Sequence, residues 1–295
     1  MALNVSGLTD YVNVHRDELL VKATADAKTL RYVDIMPNVK SKDAIPYLES
    51  SVEFQDGSKC KLSTGGTDVF TERYIETKAV AVFKDFCWKD FEKKAENYQL
   101  QWEAGRETLP FEEKIQDANV AAVQEKLEDL VWQGSTALTI SGFIADVTNS
   151  GVTASGTTSA STIAERIDAV LEAMPNGAYK KGINVFVSYT DFRAYIKALN
   201  STCCANRPIQ DGAVEELAYP YDSRVLIVPV NGLEGTGSIV AASKDALVYG
   251  TDIEGSEGVY KFWFEDKEDL FYLKVLFRAG TALRWPDEAV IDTQE

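Results

Sequence analysis

Histidine and metal-binding cysteine patterns are what this chain most clearly lacks. It has one histidine, His15, and four cysteines, Cys60, Cys87, Cys203 and Cys204, none in Cys-x-x-Cys spacing. A structural zinc site needs about four Cys or His ligands at characteristic spacing, and a Ser-His-Asp or Cys-His centre needs a histidine beside its nucleophile. The sequence therefore predicts neither kind of site. We expect reduced, structurally incidental thiols, with a vicinal disulfide at Cys203-Cys204 as the alternative.

Long apolar runs and an excess of basic residues are also missing. No run of about 18 apolar residues occurs, so we expect no transmembrane helix and no membrane partner. The N-terminus lacks a basic region followed by an apolar core, which predicts folding in a cytoplasm. The net charge is −16. Phosphate binding is driven by Lys and Arg that release counterions, so a phosphate-gripping surface is disfavoured. The acidity fits either simple solubility or a wall that repels nearby nucleic acid.

Motifs typical of enzymes are absent or weak. The glycine-rich run at residues 232–237 lacks the terminal Gly-Lys-Ser/Thr of a phosphate-binding loop and lies between predicted strands, so it predicts a turn. Asp252, Glu254 and Glu257 form a candidate cation site, although their loop lacks the EF-hand pattern. The aromatic cluster at residues 83–98 is more typical of core packing than of a cofactor cage. We therefore predict no catalytic, cofactor-binding or metal-binding residues and no cofactor.

Two long β hairpins are the strongest positive feature. Alternation at residues 259–265 and 270–277, on either side of a polar turn, predicts an antiparallel closing hairpin near the C-terminus. A second pair of extended runs, at residues 44–54 and 69–82, is joined through glycines and predicts a protruding hairpin. Hairpins of this length cannot bury themselves and are stable only when something covers them. The sequence therefore predicts that both lie against the body of the protein or against a neighbouring copy.

A long helix is predicted at residues 111–133. Pro110 sits where a helix can start and Gly134 where one can stop. Apolar residues recur at helical spacing and predict a broad buried stripe; they are Phe111, Ile115, Ala118, Val120, Ala122, Val123, Leu127, Leu130 and Val131. At about 1.5 Å per residue the helix is roughly 30 Å long, the length of a scaffold element.

The flanking regions complete the order of parts. Residues 1–37 are mixed, with weak helical character at residues 23–30, and predict an arm that clasps something. Residues 148–161 are rich in Ser, Thr and Gly and mark a boundary. Beyond it, Thr162-x-x-Glu165 is a capping box that starts a helix. Alternating strands and helices follow, with strands at 183–187, 225–230, 238–242 and 246–249, which predict an α/β subdomain around one sheet.

This order of parts resembles the major capsid proteins of tailed phages with the Hong Kong 97-type fold. The closing strand, YLKVLFRAG at residues 272–280, is similar to that of many such proteins. TERYIET at 71–77 and FCWKDF at 86–91 resemble capsid proteins of gut-associated bacterial viruses. The resemblance implies an α+β fold divided into an N-terminal arm (1–37), an extended loop (38–82), a peripheral domain with its spine helix (83–150), an axial domain (151–255) and returning peripheral strands (256–295).

The resemblance also implies a function and partners. The chain would be a non-enzymatic shell subunit that forms hexamers and pentamers around double-stranded DNA, without sequence-specific binding, in a virion assembled in the bacterial host cytoplasm. The extended loop of one copy would lie across its neighbour's spine helix and closing strands. No long charged region precedes the arm, so a separate scaffolding protein is expected beside a portal protein. Alternatives are an encapsulin compartment and a monomeric carbohydrate-binding protein or enzyme with exposed tryptophans.

Overall fold

The computed structural model describes residues 11–12, 14–25, 27–55, 66–87, 111–154, 161–201, 216–252, 259–265, 267–268 and 270–293. The helices are α1 (Arg16–Ala25), α2 (Phe111–Gln133), α3 (Gly142–Ser150), α4 (Ile163–Glu172), α5 (Ala178–Lys181) and α6 (Tyr189–Ser201). The strands are β1 (Asp34–Met36), β2 (Lys42–Ser51), β3 (Thr67–Glu76), β4 (Lys78–Cys87), β5 (Val152–Thr153), β6 (Ile183–Val187), β7 (Leu217–Tyr219), β8 (Asp222–Pro229), β9 (Ser238–Ser243), β10 (Leu247–Thr251), β11 (Val259–Glu265), β12 (Leu270–Leu283) and β13 (Ala289–Thr293).

A five-stranded sheet is built around the 14-residue strand β12. The N-terminal part of β12 pairs antiparallel with both β11 and β4, and its last residues pair with β10, which in turn pairs with β1. The predicted closing hairpin is confirmed as β11 and β12. The second strand runs to Leu283 instead of ending near Phe277, because β10 supplies a further partner beyond the hairpin.

The protruding hairpin is confirmed as a two-stranded antiparallel element, β2 with β3. We call these two strands the arm; their connection at residues 56–65 lies outside the described residues. The predicted single strand at 69–82 is wrong, because it is two strands with different partners. The break is at Thr77, which donates its backbone N–H to Ser41 O (2.8 Å) and its hydroxyl to Val39 O (2.7 Å).

Helix α2 has the predicted bounds, and Gly134 ends it with a left-handed φ of 71°. Its buried stripe is narrower than predicted, since Ala118 and Ala122 are exposed. One side of α2 packs against α1, α3 and the 3-10 helix Asn231–Leu233. That side buries Val120, Val123, Leu127, Val131 and Trp132.

The N-terminal segment is more helical than predicted. Helix α1 begins at Arg16, ahead of the weakly helical stretch predicted at residues 23–30, and its acidic first turn (Asp17, Glu18) suits a helix N-terminus. Leu19, Leu20 and Ala23 are buried in the same core as α2. The described part of this segment therefore clasps its own subunit.

A six-stranded sheet in the order β5-β13-β9-β6-β8-β7 forms the second layer. The predicted capping box at the start of α4 is confirmed: Thr162 and Glu165 exchange side-chain and backbone hydrogen bonds. One predicted strand changes sheet, because β10 leaves the α/β region and joins the five-stranded sheet. Conversely, β13, which was expected among the returning peripheral strands, pairs with β9 and β5 in the six-stranded sheet. The chain therefore crosses between the two sheets more than once.

Candidate assembly surface

The arm is anchored at its root and uncovered further out. Ile45 and Ile75 are fully buried in a small cluster with Val39, Val248 and Ala282. Along the arm and just past β2 the apolar side chains face solvent: Val69 is 50% exposed, Val52 74% and Phe54 99%. Burial of such side chains is favourable by about 1.5–3 kcal/mol each. The distal arm therefore presents apolar surface that its own subunit leaves unburied.

The outward face of the five-stranded sheet carries three aromatic rings from three strands. Phe83 of β4 stacks on Tyr272 of β12 with ring centroids 5.3 Å apart, and Tyr272 stacks on Trp263 of β11 at 5.6 Å. Phe83 is 62% exposed. We call this surface, formed by the outward-pointing residues of β4, β11 and β12, the aromatic face. Exposed aromatic clusters of this kind are typical of protein-interaction surfaces.

On the aromatic face basic residues outnumber acidic ones, although the chain as a whole has a net negative charge. Lys261 lies directly opposite Lys274 across the β11–β12 pair, and Arg278 lies further along β12. Asp85 and Glu265 are the acidic residues on this face. Like charges directly opposite each other on neighbouring strands are destabilising. The lysine pair would therefore be stabilised by an acidic partner.

The arm has the complementary charge. Its two strands contain five acidic and two basic residues: Asp43, Glu49, Asp68, Glu72 and Glu76, with Lys42 and Arg73. Glu76 is bridged by Lys42 and Lys78, both at 3.5 Å, and these bridges lower its pKa. The described arm residues therefore combine exposed apolar side chains with a net negative charge. On the aromatic face, in contrast, basic residues outnumber acidic ones.

The closing hairpin needs no neighbour on its inward face. The side chains of Tyr260, Phe262, Phe271, Leu273 and Val275 are at most 3% exposed and belong to the main core with α1 and α2. The hydroxyl of Tyr260 also donates to Gln116 Oε1 of α2 at 2.7 Å. The closing hairpin thus lies against the body of its own subunit, one of the two predicted arrangements, whereas the distal arm exposes apolar side chains.

The other residues that the sequence analysis singled out are not brought together as a site in the part of the chain that the structure describes. His15 precedes α1, and its Nδ1 lies 3.2 Å from Oε2 of Glu18, with both side chains exposed. Residues 231–236 form a 3-10 helix and turn between β8 and β9, as predicted for the glycine-rich run. Asp252 is buried, and within the described residues neither of its carboxylate oxygens has a hydrogen-bond partner. Glu254 and Glu257, its companions in the candidate cation site, lie outside the described residues, as do Cys60, Cys203, Cys204 and the part of the aromatic cluster at 88–98.

Two structural observations bear on metals and membranes. Among the residues that the structure describes, His, Cys, Asp and Glu nowhere gather in a group of three able to hold a metal ion. In the same part of the chain, every helix is too short or too polar to span a bilayer.

The sequence did not predict the ring cluster of the aromatic face or the contacts of Glu128. The sequence places Trp263 and Tyr272 on strands, but their contact with Phe83 depends on the pairing of β4 with β12. The alternation of β11 and β12 was a usable signal, since it separates Trp263 and Tyr272 from the inward Phe262 and Phe271. Glu128, a buried carboxylate that accepts the backbone N–H groups of Thr29 (2.9 Å) and Asn231 (3.1 Å), had no such signal.

No protein-family model and no curated protein matches the sequence. Solved structures do match the fold. A chain of the satellite phage P4 procapsid including size determination (Sid) protein has a TM-score of 0.59 and 10% identity, over 96% of this chain and 99% of that chain. The capsid of Myoviridae phage XM1 gives 0.57 and 12%, over 91% and 92%. The virus-like particle from Pyrococcus furiosus gives 0.54 and 9%, over 94% and 96%. The chain therefore has an α+β capsid fold, as its resemblance to tailed-phage capsid proteins predicted.

Proposed function

We propose that this chain is the major capsid protein of a tailed double-stranded DNA phage, a non-enzymatic subunit that self-assembles into hexamers and pentamers of an icosahedral shell. The observation that carries the proposal is the capsid fold, which extends over 96% of this chain and 99% of a procapsid chain. The uncovered distal arm supports it independently, because a lone subunit gains nothing from exposing Val52, Phe54 and Val69.

The finer Hong Kong 97-type division belongs to the same proposal, with two changes of boundary. The five-stranded sheet and α2 correspond to a peripheral domain with a spine helix, and the six-stranded sheet with α4 and α6 corresponds to an axial domain. Strand β10 (Leu247–Thr251) belongs with the peripheral sheet and β13 (Ala289–Thr293) with the axial one. The arm formed by β2 and β3 corresponds to the extended loop. The separate segment up to residue 37 corresponds to the N-terminal arm of that fold.

Contact between copies is proposed to place the arm of one subunit on the aromatic face of its neighbour. The acidic arm would neutralise the opposed lysines Lys261 and Lys274, and its exposed apolar side chains would cover the rings of Phe83, Trp263 and Tyr272. Because arm and acceptor are different surfaces, the contact is heterologous, and it gives the rings of hexamers and pentamers where its rotation closes. A separate scaffolding protein, a portal protein, an enclosed double-stranded genome and assembly in the host cytoplasm complete the proposal.

Negative-stain electron microscopy of the expressed protein tests the proposal. The full chain should form closed shells, and a variant lacking residues 58–68 should stay folded, by circular dichroism and cooperative thermal unfolding, without forming shells. A full chain that remains monomeric under all assembly conditions would overturn the proposal. A deletion variant that gives normal particles would overturn the role of the arm alone.

An encapsulin compartment is the second candidate, favoured by the match to the Pyrococcus furiosus virus-like particle. It would use the same shell contacts and hold enzyme cargo instead of a genome. Neighbouring genes separate the two functions: terminase and portal genes favour the phage, and a peroxidase or ferritin-like gene favours the compartment.

A further inference from the structure

Two Asn-Gly pairs occur in the sequence, and the structure places them in opposite surroundings. Asn176-Gly177 lies in the turn between α4 and α5, where both residues are exposed. Asn231-Gly232 lies in the 3-10 helix between β8 and β9, where Gly232 is buried. An asparagine followed by glycine is open to attack by the main chain on the side-chain amide, because glycine has no Cβ to shield its own N–H. The fold therefore presents one reactive motif in two environments.

The Asn176-Gly177 pair is held by few contacts. The Ala178 N–H donates to Pro175 O at 3.0 Å, so Asn176 and Gly177 are the two central residues of a turn, and the Lys180 N–H donates to Gly177 O at 3.2 Å. Within the part of the chain that the structure describes, neither the Asn176 side chain nor the Gly177 N–H has a hydrogen-bond partner. A Cβ added to Gly177 would meet nothing within 4 Å. Both reacting groups are therefore free and open to water.

The Asn231-Gly232 pair is fixed at several points. The Asn231 N–H donates to Glu128 Oε2 at 3.1 Å, and the Asn231 carbonyl accepts the Glu234 N–H at 2.9 Å. The Gly232 carbonyl accepts the side-chain amide of Gln133 at 2.9 Å. A Cβ at Gly232 would lie 2.4 Å from Glu128 O, so the main chain packs against α2 there without space to rearrange. An attack by the Gly232 nitrogen would first have to break these contacts.

The chemistry at residue 176 needs no reagent other than water. The main-chain nitrogen of Gly177 attacks Cγ of the Asn176 side chain, which forms an N–Cγ bond and closes a five-membered ring. The Cγ–Nδ2 bond breaks, and Nδ2 leaves as ammonia with the proton that the Gly177 nitrogen gives up. Water then opens the cyclic imide at one of its two carbonyl carbons. Opening at Cγ yields aspartate, and opening at the main-chain carbonyl carbon yields isoaspartate.

We propose that Asn176 is a site of spontaneous hydrolytic modification in the folded protein, converted through a cyclic imide to aspartate and isoaspartate, and that the fold protects Asn231 from the same reaction. Either product adds a negative charge to the subunit, and isoaspartate also adds a methylene group to the main chain of the turn. The turn leads into α5, which ends at Lys181, and Lys181 Nζ is bound by both carboxylate oxygens of Glu288 at 2.7 and 2.8 Å. The modification therefore alters the segment that precedes this ion pair.

Peptide mapping by mass spectrometry tests the proposal on the purified full chain. The folded protein is incubated in mildly alkaline buffer made with heavy-oxygen water, so that a carboxylate formed during the incubation carries the isotope. The fragment that contains Asn176 should gain isotope-bearing aspartate and isoaspartate about tenfold faster than the fragment that contains Asn231. In denaturant the two fragments should react at similar rates, because the contacts that hold Asn231 are then lost.

Two variants separate the ring route from direct hydrolysis of the amide. Gly177→Ala should slow the formation of both products about tenfold, because the added methyl group hinders attack by the main-chain nitrogen. This variant should fold like the parent, since Gly177 has a φ of −64° and open space where the methyl group would lie. Asn176→Gln would need a larger ring and should stay unmodified over the same period.

Three results would overturn the proposal. One is an unmodified Asn176 in folded protein after an incubation that modifies the chain in denaturant. Another is an equal rate at Asn176 and Asn231 in the folded protein, since the fold would then protect neither. The third is isotope-bearing aspartate at residue 176 without isoaspartate, because direct hydrolysis of the amide leaves aspartate alone.

Discussion

The indole N–H of Trp132 donates to the hydroxyl of Thr29 at 2.8 Å, inside the core and across 103 residues of chain. Both residues are fully buried. Thr29 lies in the 3-10 helix Lys28–Arg31, and Trp132 near the end of α2. This bond joins the N-terminal segment to the long helix at the point where the helix meets the 3-10 helix Asn231–Leu233.

Thr29→Val should lower the free energy of unfolding by about 1–3 kcal/mol, because the shape is kept while the buried indole N–H loses its acceptor. Chemical denaturation followed by far-ultraviolet circular dichroism measures the change. Thr29→Ser keeps the hydroxyl and is the matched control. A Thr29→Val variant as stable as the parent would show that the hydrogen bond makes no net contribution.

Glu128→Ala should cost more than Thr29→Val, on the order of 3 kcal/mol, because it leaves the backbone N–H groups of Thr29 and Asn231 without an acceptor in the core. Glu128→Gln keeps one acceptor oxygen and should fall between the parent and Glu128→Ala. The same denaturation experiment ranks the three proteins. A Glu128→Ala variant as stable as the parent would show that these two backbone contacts contribute little to stability.

Charge reversal tests the proposed contact between the arm and the aromatic face. Lys261→Glu with Lys274→Glu should reduce shell yield, measured by sedimentation and electron microscopy, because the acidic arm is then repelled. Adding Asp68→Lys and Glu72→Lys on the arm should restore part of the yield. Lys126→Glu, on the exposed side of α2, is the control for net charge. A yield that falls with every added charge, and never recovers, would argue against this pairing.

Asp146 should make stability depend on pH. Burial raises the pKa of its carboxyl above 3.8. Hydrogen bonds from the hydroxyls of Ser141 to Oδ1 (2.6 Å) and of Thr281 to Oδ2 (2.8 Å) lower the pKa, but by less than burial raises it. Between the unfolded-state and folded-state pKa values, the folded protein therefore binds a proton that the unfolded chain has released, and this stabilises the folded state. The stabilisation is complete below the unfolded-state pKa of the carboxyl and is lost as pH rises through the folded-state pKa.

Asp146→Asn removes this titration. Relative to the variant, the parent should become less stable as pH rises from about 4 to 7, in thermal unfolding at matched ionic strength. Stability curves that stay parallel over this interval would show that the carboxyl ionises equally in the folded and unfolded chains.

Elements that are specified by local sequence could be predicted. Strand boundaries and sheet membership that depend on pairing with distant segments could not. The bounds of α2, the capping box at Thr162 and Glu165 and the closing hairpin all depend on near neighbours in the chain. The break at Thr77 interrupts an alternation that continues on both sides, because β3 and β4 differ only in their partners. The sheet changes of β10 and β13 have the same origin.

The candidate surface shows the same limit. Exposed apolar residues on the arm followed from the prediction of an uncovered hairpin. The aromatic face did not, since Phe83 meets Tyr272 only through the pairing of β4 with β12. The contacts of Trp285 with Tyr47 and Lys181 join three distant parts of the sequence, and no local pattern marks any of these residues.

The position of β12 has a consequence for synthesis on the ribosome. In the described part of the chain, β4 pairs with β12 alone, and more than half of the sequence separates them. A nascent chain that has already released the arm therefore lacks the strand that completes its sheet. The proposed recognition of the aromatic face by another copy therefore cannot begin before β12 has been synthesised.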